Sequence, residues 1–300
     1  MIYGLHLLIY FDIYLIVALS LNIVVGYCGT ITLAHASFFV IGAYTYALTT
    51  INLGWGFLPA IASAAAAAAI VSPILSFAAW RLRGDFFVLF SLAVQTMLFS
   101  LFYNWHSPED PIGSLTNLTN GSFGIGGIAR PSIGGLSFSS VGAVAILFTI
   151  ISGVFLLLTW ALLSSPWGRV LKAMRDDELA TRSLGKKVRS LKVQALAIAC
   201  AMAALAGAMY ASYVSFIDPA SGALSESILF LSMIIVGGVG NRIRGPLVGA
   251  LLLLLIPEGL RFMALPDTLA VELRLLIYGL LLVLLMHLRP QGIAGDYKLN

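Results

Sequence analysis

The sequence predicts an all-α polytopic membrane protein with about nine membrane segments, in a range of roughly eight to ten. The mean hydropathy is +0.98 over 300 residues, and 60% of the residues are hydrophobic while only 10% are charged. Apolar runs such as ASAAAAAAIV and LLLLLI recur along the whole chain. A helix needs about 20 apolar residues to cross the hydrocarbon of a bilayer, and soluble globular proteins lack such a composition.

Two other classes of protein fit this composition less well. A signal peptide followed by a soluble domain is not expected, because the first basic residue is Arg81 and the hydrophobicity does not subside after it. A β-barrel would alternate apolar and polar residues over about ten positions, whereas these runs are continuous. Cys28 and Cys200 lie in or beside apolar runs without a disulfide or metal pattern. We therefore predict an inner-membrane protein whose cysteines are packing residues.

Glycines, prolines and charged residues divide the apolar sequence into the predicted segments. These segments are residues 5–25, 31–52, 57–80, 85–106, 140–163, 193–216, 227–240, 246–262 and 272–288. The seventh has 14 residues and runs into GGVGN, so we expect it to be broken or re-entrant. We treat residues 1–300 as one membrane domain, with an external loop at 107–139 and a cytoplasmic loop at 164–192.

The basic residues predict the orientation, because loops rich in Lys and Arg stay in the cytoplasm. With nine segments, 14 of the 17 basic residues fall on one side. They lie at residues 81–83, 169–192, 242–244 and in the C-terminal tail. The loop 107–139 falls on the other side. We therefore predict that the N-terminus lies outside and the C-terminus in the cytoplasm. The net charge of +4 reflects this topology in a lipid bilayer, and no nucleic acid partner is expected.

The most polar part of the chain is GRVLKAMRDDELATRSLGKKVRSLKV, residues 168–193. Ser165-Pro166 predicts a helix start, and Gly185 predicts a helix end. One helix fits this stretch, as do two short helices with a bend. Six apolar residues project to one broad side at 100° per residue. They are Val170, Leu171, Ala173, Met174, Ala180 and Leu184.

This polar stretch has two interpretations. A basic amphipathic loop can lie on anionic lipid headgroups. Alternatively it is a surface for a cytoplasmic protein, since lipid phosphates would repel the consecutive acids Asp176, Asp177 and Glu178. The chemistry of the residues leaves both open.

The stretch resembles the cytoplasmic coupling loop of ABC-importer permeases, specifically of the branched-chain amino acid permease family. The matching residues are Gly168, Arg169, Ala173, Arg175, Asp176, Glu178, Leu184 and Gly185. The match to the general importer EAA…G loop is loose, because Glu178 precedes Gly185 by one residue too many. The resemblance implies that residues 164–192, Asp177 included, transmit ATP-driven motion to the membrane segments.

A second motif, NIVVGYCGTITLAHASFFVIGAYTYAL at residues 22–48, resembles a glycine-rich signature of the same family. The residues expected beside a translocation path are Asn22, Gly26, Tyr27, Gly29, His35, Gly42 and Tyr44. Thr32, Ala34 and Val40 depart from the family pattern. For His35 two roles stay open, a structural hydrogen bond between helices and a direct contact with substrate.

Three further stretches carry the resemblance. RLRGDFFVLFSLAV at 81–94 resembles a cytoplasmic helix entry, where Asp85 suits the positive end of the helix dipole. LTNGSFGIGGIARP at 118–131 resembles an external loop for a substrate-binding protein, with candidate docking residues Asn120, Gly121, Gly124, Gly126 and Arg130. The C-terminal RPQG, residues 289–292, resembles the family's ending.

MIIVGGVGNRIRGPLVGALLLL at 233–254 resembles a second glycine signature, with Gly237, Gly238, Gly240 and Gly245 as path candidates. It repeats the order of the first signature: an apolar run, a glycine break and a small-residue helix. Glycine-interrupted segments in both halves of a transporter point to an internal repeat with the path between the halves.

An enzyme is not expected. The sequence contains no G-x-x-x-x-G-K-[ST], His-Glu-x-x-His or G-x-S-x-G motif. The alternative in another class is an ion-coupled secondary transporter, which needs intramembrane carboxylates. The candidates are Asp12, Glu226, Glu258 and Glu272, although Glu258 could equally pair with Arg261.

The resemblance implies a permease subunit of an ATP-driven importer of branched-chain or other neutral amino acids. Urea and short-amide permeases of the same family are the alternative substrate class. The expected partners are a second, homologous permease, cytoplasmic ATP-binding subunits and an external substrate-binding protein. We expect no cofactor or metal on this chain, since ATP would be used by the partner subunits.

Overall fold

The computed structural model of the protein describes residues 2–82, 84–261 and 291–295, together with scattered positions between 273 and 288. The predicted ninth segment therefore lies largely outside the described residues. The same holds for Glu272 and for the side chain of Arg261, so the expected pairing of Glu258 with Arg261 stays a prediction.

The described part of the chain is predominantly helical. Its helices are α1 (Ile2–Leu21), which continues into a π-helix (Asn22–Tyr27), α2 (His35–Asn52), α3 (Phe57–Val71), α4 (Pro73–Arg81), α5 (Asp85–Asn104), α6 (Val141–Ser164), α7 (Pro166–Asp176), α8 (Glu178–Ser183), α9 (Val188–Val214), α10 (Leu224–Gly237) and α11 (Arg244–Arg261). Most predicted segments correspond to these helices within a few residues. The second begins later, at His35, and the third is two helices that meet at Ser72-Pro73.

Five helical units are long and apolar enough to cross a membrane. They are Ile2–Tyr27, Phe57–Arg81, Asp85–Asn104, Val141–Ser164 and Val188–Val214. α10, predicted to be a short segment, has 14 residues. A polytopic membrane protein is thus supported, while the number of about nine segments and the internal repeat stay predictions.

The helices differ in how much of their surface the protein itself covers. In the first and last of the five units 78% of the apolar window is buried, against 28% to 33% in the other three. α2 is also largely buried. α1, α2 and α9 therefore form the centre of the molecule. Many apolar side chains of α3 to α6 are exposed, so these helices present a surface for lipid or for a partner.

α2 and α9 cross at very short range because small residues lie at the crossing. A Cβ added to Gly207 would overlap the carbonyl oxygen of Phe39, and a Cβ added to Gly42 would overlap that of Ala204. Small residues allow such backbone contact between membrane helices, which associate by packing. The predicted path residue Gly42 therefore has a packing role that only glycine can fill.

α2 begins inside the bundle, where water cannot satisfy its first amide groups. Three backbone N–H groups at this end donate to side chains of α5 and α10: Leu33 to Ser91 (2.9 Å), Ala36 to Ser227 (3.1 Å) and Ser37 to Gln95 (3.1 Å). The Gln95 amide also donates to the carbonyl oxygen of Gly222. The broken start of α2 is thereby tied to three other elements.

Two buried ionisable side chains have partners within the bundle. Asp12 of α1 accepts hydrogen bonds from the hydroxyls of Thr149 (2.7 Å) and Ser152 (2.6 Å) on α6. His35 Nε2 lies 2.7 Å from the hydroxyl of Ser20 on α1, as its structural interpretation predicts. Cys28 and Cys200 are buried and free of disulfides, which confirms their prediction as packing residues.

The all-α prediction misses four two-residue strands. β1 (Ile125–Gly126) pairs antiparallel with β4 (Phe216–Ile217), which directly follows α9, and β2 (Ser132–Ile133) pairs with β3 (Leu136–Ser137). Two residues are too few to show a strand periodicity in a sequence. The loop at 107–139 also contains Asp110, where hydrogen bonds from the hydroxyls of Thr116 and Ser107 hold the pKa of the carboxyl below its usual value.

The loops at 107–139 and 164–192 lie at opposite ends of the molecule. The second loop leads into Val188 at the start of α9, while β4 at the other end of α9 pairs with β1 of the first loop. α9 has 27 residues and therefore spans about 40 Å. This separation agrees with one loop on each side of the membrane.

The α2–α9 crossing predicts that Gly207→Leu destabilises the protein by about 3 kcal/mol, because its side chain cannot fit without separating two backbones. Gly153→Leu on α6 is the matched control, since a Cβ there meets nothing within 4 Å. Thermal unfolding and size-exclusion profiles in mild detergent measure both variants. Equal midpoints for the two would contradict the close crossing.

Candidate functional site

The site is built around α7, whose start is fixed by local sequence. The hydroxyl of Ser165 accepts a hydrogen bond from the N–H of Trp167 (3.2 Å), and Pro166 is the first helical residue. Gly168 allows the tight turn from α6, since a Cβ there would overlap the carbonyl oxygen of Leu163. The predicted helix start is confirmed, and Gly168 has a packing reason to be glycine.

The polar stretch consists of two helices with a bend at Asp177. Asp177 has extended backbone, and its carboxylate caps α8 by accepting from the N–H of Ala180 (2.9 Å). After α8 the chain turns at Gly185, whose φ is +75°. The N–H groups of Gly185 and Lys186 donate back to the carbonyl oxygens of Arg182 and Thr181. This is a Schellman ending, so the prediction of Gly185 as the helix stop is confirmed.

The bend shows that the single apolar face predicted for this stretch is wrong. Leu171 and Met174 are buried in α7, but Ala173, Ala180 and Leu184 are exposed. The 100° periodicity holds only within one helix, and Asp177 redirects the chain before α8. Leu179 and Leu184 are therefore 61% and 79% exposed at a polar end of the molecule.

The three consecutive acids all have partners within the chain. Asp176 pairs with Arg175 (2.9 Å), and Asp177 caps α8. Glu178 pairs with Lys192 (2.9 Å) and with Arg182 (3.3 Å). Lys192 is nearly buried and also donates to the carbonyl oxygen of Ala79 (3.2 Å). These intramolecular contacts account for the three acids, so the acids no longer argue for a protein partner over lipid.

Arg175 joins α7 to the first glycine motif. Its side chain is only 7% exposed, and Nη1 donates to the carbonyl oxygen of Gly26 at 2.6 Å. Its aliphatic stem covers Gly29, where φ is +69° and an added Cβ would lie 2.5 Å from Cγ of Arg175. One turn earlier, Lys172 Nζ lies 4.9 Å from the ring centre of Tyr27, a cation–π geometry.

The first glycine motif also meets the second. The Asn22 amide donates to the carbonyl oxygen of Asn241 (2.6 Å), and Asn22 Oδ1 accepts from the N–H of Gly240 (3.4 Å). A Cβ on Gly26 would lie 3.0 Å from that same nitrogen. The two signatures are more than 200 residues apart in sequence, and the structure brings them together beside α7.

The other glycines of the second motif pack backbones against each other. A Cβ on Gly237 would overlap the carbonyl oxygen of Gly245, and one on Gly245 would overlap that of Gly238. Residues 291–295 lie against the end of α10, where the N–H of Ile293 donates to Val236 (3.0 Å) and that of Ala294 to Gly237 (2.9 Å). Residues 291–295 thus belong to this end of the molecule.

A cleft of about 520 Å³ lies under the bend between α7 and α8. Its walls come from residues 28–31, from the turn between α4 and α5 with Asp85, and from residues 174–179. Asp85 is the first residue of α5, as predicted. The cleft is lined by both signs of charge, which include Lys192 as well as the acids.

The remaining predicted site residues lie away from this end. Tyr44 is buried and stacks on Phe102, with ring centres 5.2 Å apart. In the loop at 107–139 Asn120 and Gly124 form a turn through a 2.8 Å hydrogen bond, Gly121 packs on Tyr103 and His106, and Gly126 belongs to β1. Arg130 is exposed and donates to the carbonyl oxygen of Ser139 (2.8 Å). The path and docking roles of these residues stay predictions.

The sequence interpretation missed a cluster of aromatic side chains between α1, α2, α9 and α10. Its members are Tyr10, Tyr14, Phe39, Tyr210, Tyr213 and Phe230, with neighbouring ring centres 5.5 to 6.5 Å apart. The spacing gives a signal that could have been used, since Tyr10 and Tyr14 are four residues apart and Tyr210 and Tyr213 three. Pairs at these distances share a helix face.

Comparison with known proteins identifies relatives along the whole chain. The model of the family described as branched-chain amino acid transport system / permease component matches residues 4–286. The high-affinity branched-chain amino acid transport system permease protein LivM of Escherichia coli is 32% identical over 94% of this chain and 67% of its own length. No solved structure matches.

Two further relatives cover most of both chains. The probable branched-chain amino acid transport permease protein LivM of Methanocaldococcus jannaschii is 27% identical over 97% of this chain and 92% of its own. The permease protein LivH of the Escherichia coli high-affinity system is 26% identical over 94% and 91%. With the family match and the apolar helices, these similarities show that the chain is a multi-pass inner-membrane protein that belongs to the permease family of branched-chain amino acid transport systems.

Proposed function

We propose that this chain is a membrane-spanning subunit of an ATP-driven importer that translocates branched-chain or other neutral amino acids. It would act with a second, homologous permease, with ATP-binding subunits at residues 164–192 and with a substrate-binding protein at residues 107–139. The N-terminus would lie outside and the C-terminus in the cytoplasm. ATP would be bound by the partner subunits, since the chain has no P-loop motif.

The hydrogen bond from Arg175 to Gly26 is the observation that carries the proposal. Gly26 lies in the π-helix at the end of α1, one of the most buried helices. If a partner pulls α7 away, the Gly26 carbonyl loses a charged donor, which costs about 1–3 kcal/mol. α1 would therefore follow α7, and Asn22 would carry the movement to the loop after α10.

The exposed leucines of the bend support a protein partner at the same place. Leu179 and Leu184 are more than half exposed in a stretch that holds eight basic and three acidic residues. Burying one leucine side chain contributes about 1.5–3 kcal/mol. We therefore propose that an ATP-binding subunit covers these two exposed side chains.

The relatives support a pair of homologous permeases. The chain resembles both LivM and LivH of one Escherichia coli transport system over more than nine tenths of its own length. The external loop supports the docking of a binding protein, because its strand β1 is anchored to the end of α9 at the side opposite α7.

An ion-coupled secondary transporter would rest on one of the carboxylates of Asp12, Glu226, Glu258 and Glu272. Asp12 is a buried carboxylate of α1. Its two hydroxyl donors on α6 give it a structural role, because the hydrogen bonds tie α1 to α6.

Urea or short amides are the alternative substrates of an importer. Purification from the native membrane in mild detergent tests the class, and uptake by reconstituted vesicles tests the substrate.

We expect the tagged chain to co-purify with a related permease and with P-loop ATPases, and its vesicles to take up labelled leucine only with ATP. Excess unlabelled leucine should reduce this uptake at least tenfold, whereas excess urea should leave it unchanged. Uptake driven by a proton or sodium gradient without ATP would overturn the importer. Competition by urea alone would overturn the amino-acid assignment.

Arg175→Ala should uncouple the transporter. We expect ATP-dependent uptake to fall at least tenfold while the ATPase activity of the complex persists, because the link between α7 and Gly26 is lost. Lys186→Ala is the matched control in the same polar stretch, since Lys186 is exposed and is not among the residues that match the family's coupling loop. Equal losses in the two variants would argue against the link.

The double variant Leu179→Glu/Leu184→Glu should bind the ATPase subunits at least tenfold more weakly, because both side chains lose an apolar contact. Thermal unfolding of the isolated permease should not change. Leu115→Glu is the control, since Leu115 is 88% exposed in the external loop. Co-purification with tagged ATPase measures the association, and undiminished binding by the double variant would exclude the bend as the docking surface.

A further inference from the structure

A pocket of about 450 Å³ lies beside α7 and is lined by other residues than the cleft under the bend. It is lined by Trp160 near the end of α6, by Lys172 of α7 and by Asn241, Arg242 and Arg244 at the start of α11. None of the described residues that line it is acidic. Three cations therefore converge on a space large enough for a small anionic group.

Within the described part of the chain, no acidic residue forms an ion pair with any of the three cations. Among the described residues, the ion pairs of this end involve Arg175, Arg182 and Lys192, and none involves a residue of the pocket. Lys172 is held by the Tyr27 ring at 4.9 Å. Arg242 and Arg244 are exposed on either side of Ile243. Like charges held together without counter-ions favour the binding of an anion.

An apolar stripe on α6 leads to the pocket. Ile146, Ile150, Val154, Leu157 and Trp160 are all exposed and follow each other at three or four residues, so they share one face of the helix. The stripe ends at Trp160, which lines the pocket. Tryptophan is enriched where hydrocarbon meets the headgroup region.

We propose that this pocket binds the phosphate of an anionic phospholipid whose acyl chain lies along the α6 stripe. The chemistry required at the cationic end is a phosphate group, which a free anion could also supply. The adjoining exposed stripe favours the lipid, because it offers an apolar surface continuous with the charged pocket. The binding does not depend on the proposed function.

The bound phosphate would join α7 to the turn between α10 and α11. Lys172 belongs to α7, the helix that also carries Arg175. Arg242 and Arg244 follow Asn241, and the carbonyl oxygen of Asn241 accepts a hydrogen bond from the side-chain amide of Asn22. A lipid held by both sides would stabilise α7 against the α10–α11 turn. This consequence, unlike the binding itself, rests on the proposed function.

Native mass spectrometry of the purified protein, with any subunits that accompany it, tests the site. Phosphatidylglycerol and phosphatidylcholine are titrated separately, and the number of retained lipids is counted at each concentration. We expect one phosphatidylglycerol to bind at least tenfold more tightly than any phosphatidylcholine. Equal retention of the two lipids would overturn the proposal.

The variant Arg242→Gln/Arg244→Gln should weaken this binding about 25-fold, at about fivefold for each charge removed. Arg182→Gln/Lys186→Gln removes two exposed charges from α8 and the residues after it, and it should change the affinity less than twofold. Equal weakening by both variants would show general surface attraction in place of a site. Size-exclusion profiles establish that both variants are folded.

Competition on the wild-type protein separates the two sources of phosphate and needs no variant. Inorganic phosphate and glycerol phosphate are added at the concentration at which phosphatidylglycerol half-saturates the site. We expect neither to displace the lipid, because neither contacts the α6 stripe. Displacement at equal concentration would assign the pocket to a free anion and overturn the lipid.

Discussion

Inside a membrane every backbone polar group needs a partner from the protein, and this requirement organises the centre of the molecule. The chain is not helical between the end of the π-helix and His35, so the first amides of α2 lack helical partners. Ser91, Gln95 and Ser227 supply them from α5 and α10. Together these three side chains bind α5 and α10 to the start of α2.

The same requirement applies to the end of α1 that lies beside α7. At the other side of this non-helical stretch, the carbonyl oxygen of Gly26 receives the Arg175 guanidinium. A charged hydrogen bond to a nearly buried group is costly to leave unmade. The hydrogen bond that satisfies the Gly26 carbonyl oxygen also joins α1 to α7, and under the proposed function it would carry movement of α7 to the membrane segments.

Sequence patterns correctly predicted the helix ends, which depend on neighbouring residues, but they missed contacts between residues that are distant in sequence. Ser165-Pro166 and Gly185 were found because caps and stops depend on a few neighbouring residues. The exposure of Leu184 was missed because Asp177 bends the chain between α7 and α8. The joining of Arg175 to Gly26 spans 149 positions, which periodicity cannot reveal. Gln95 stood out little in an apolar helix, although Ser91 and Gln95 share a face and could have signalled a polar contact.

The contrast between two kinds of contact indicates where the protein can move. α2 and α9 touch backbone to backbone at Gly42 and Gly207, and any separation there opens a void that packing resists. α7 is held to the first glycine motif through the long side chains of Arg175 and Lys172. α2 and α9 therefore form a tightly packed centre, and under the proposed function α7 with the ends of α1 and α10 is the part that the ATP-binding subunits would displace.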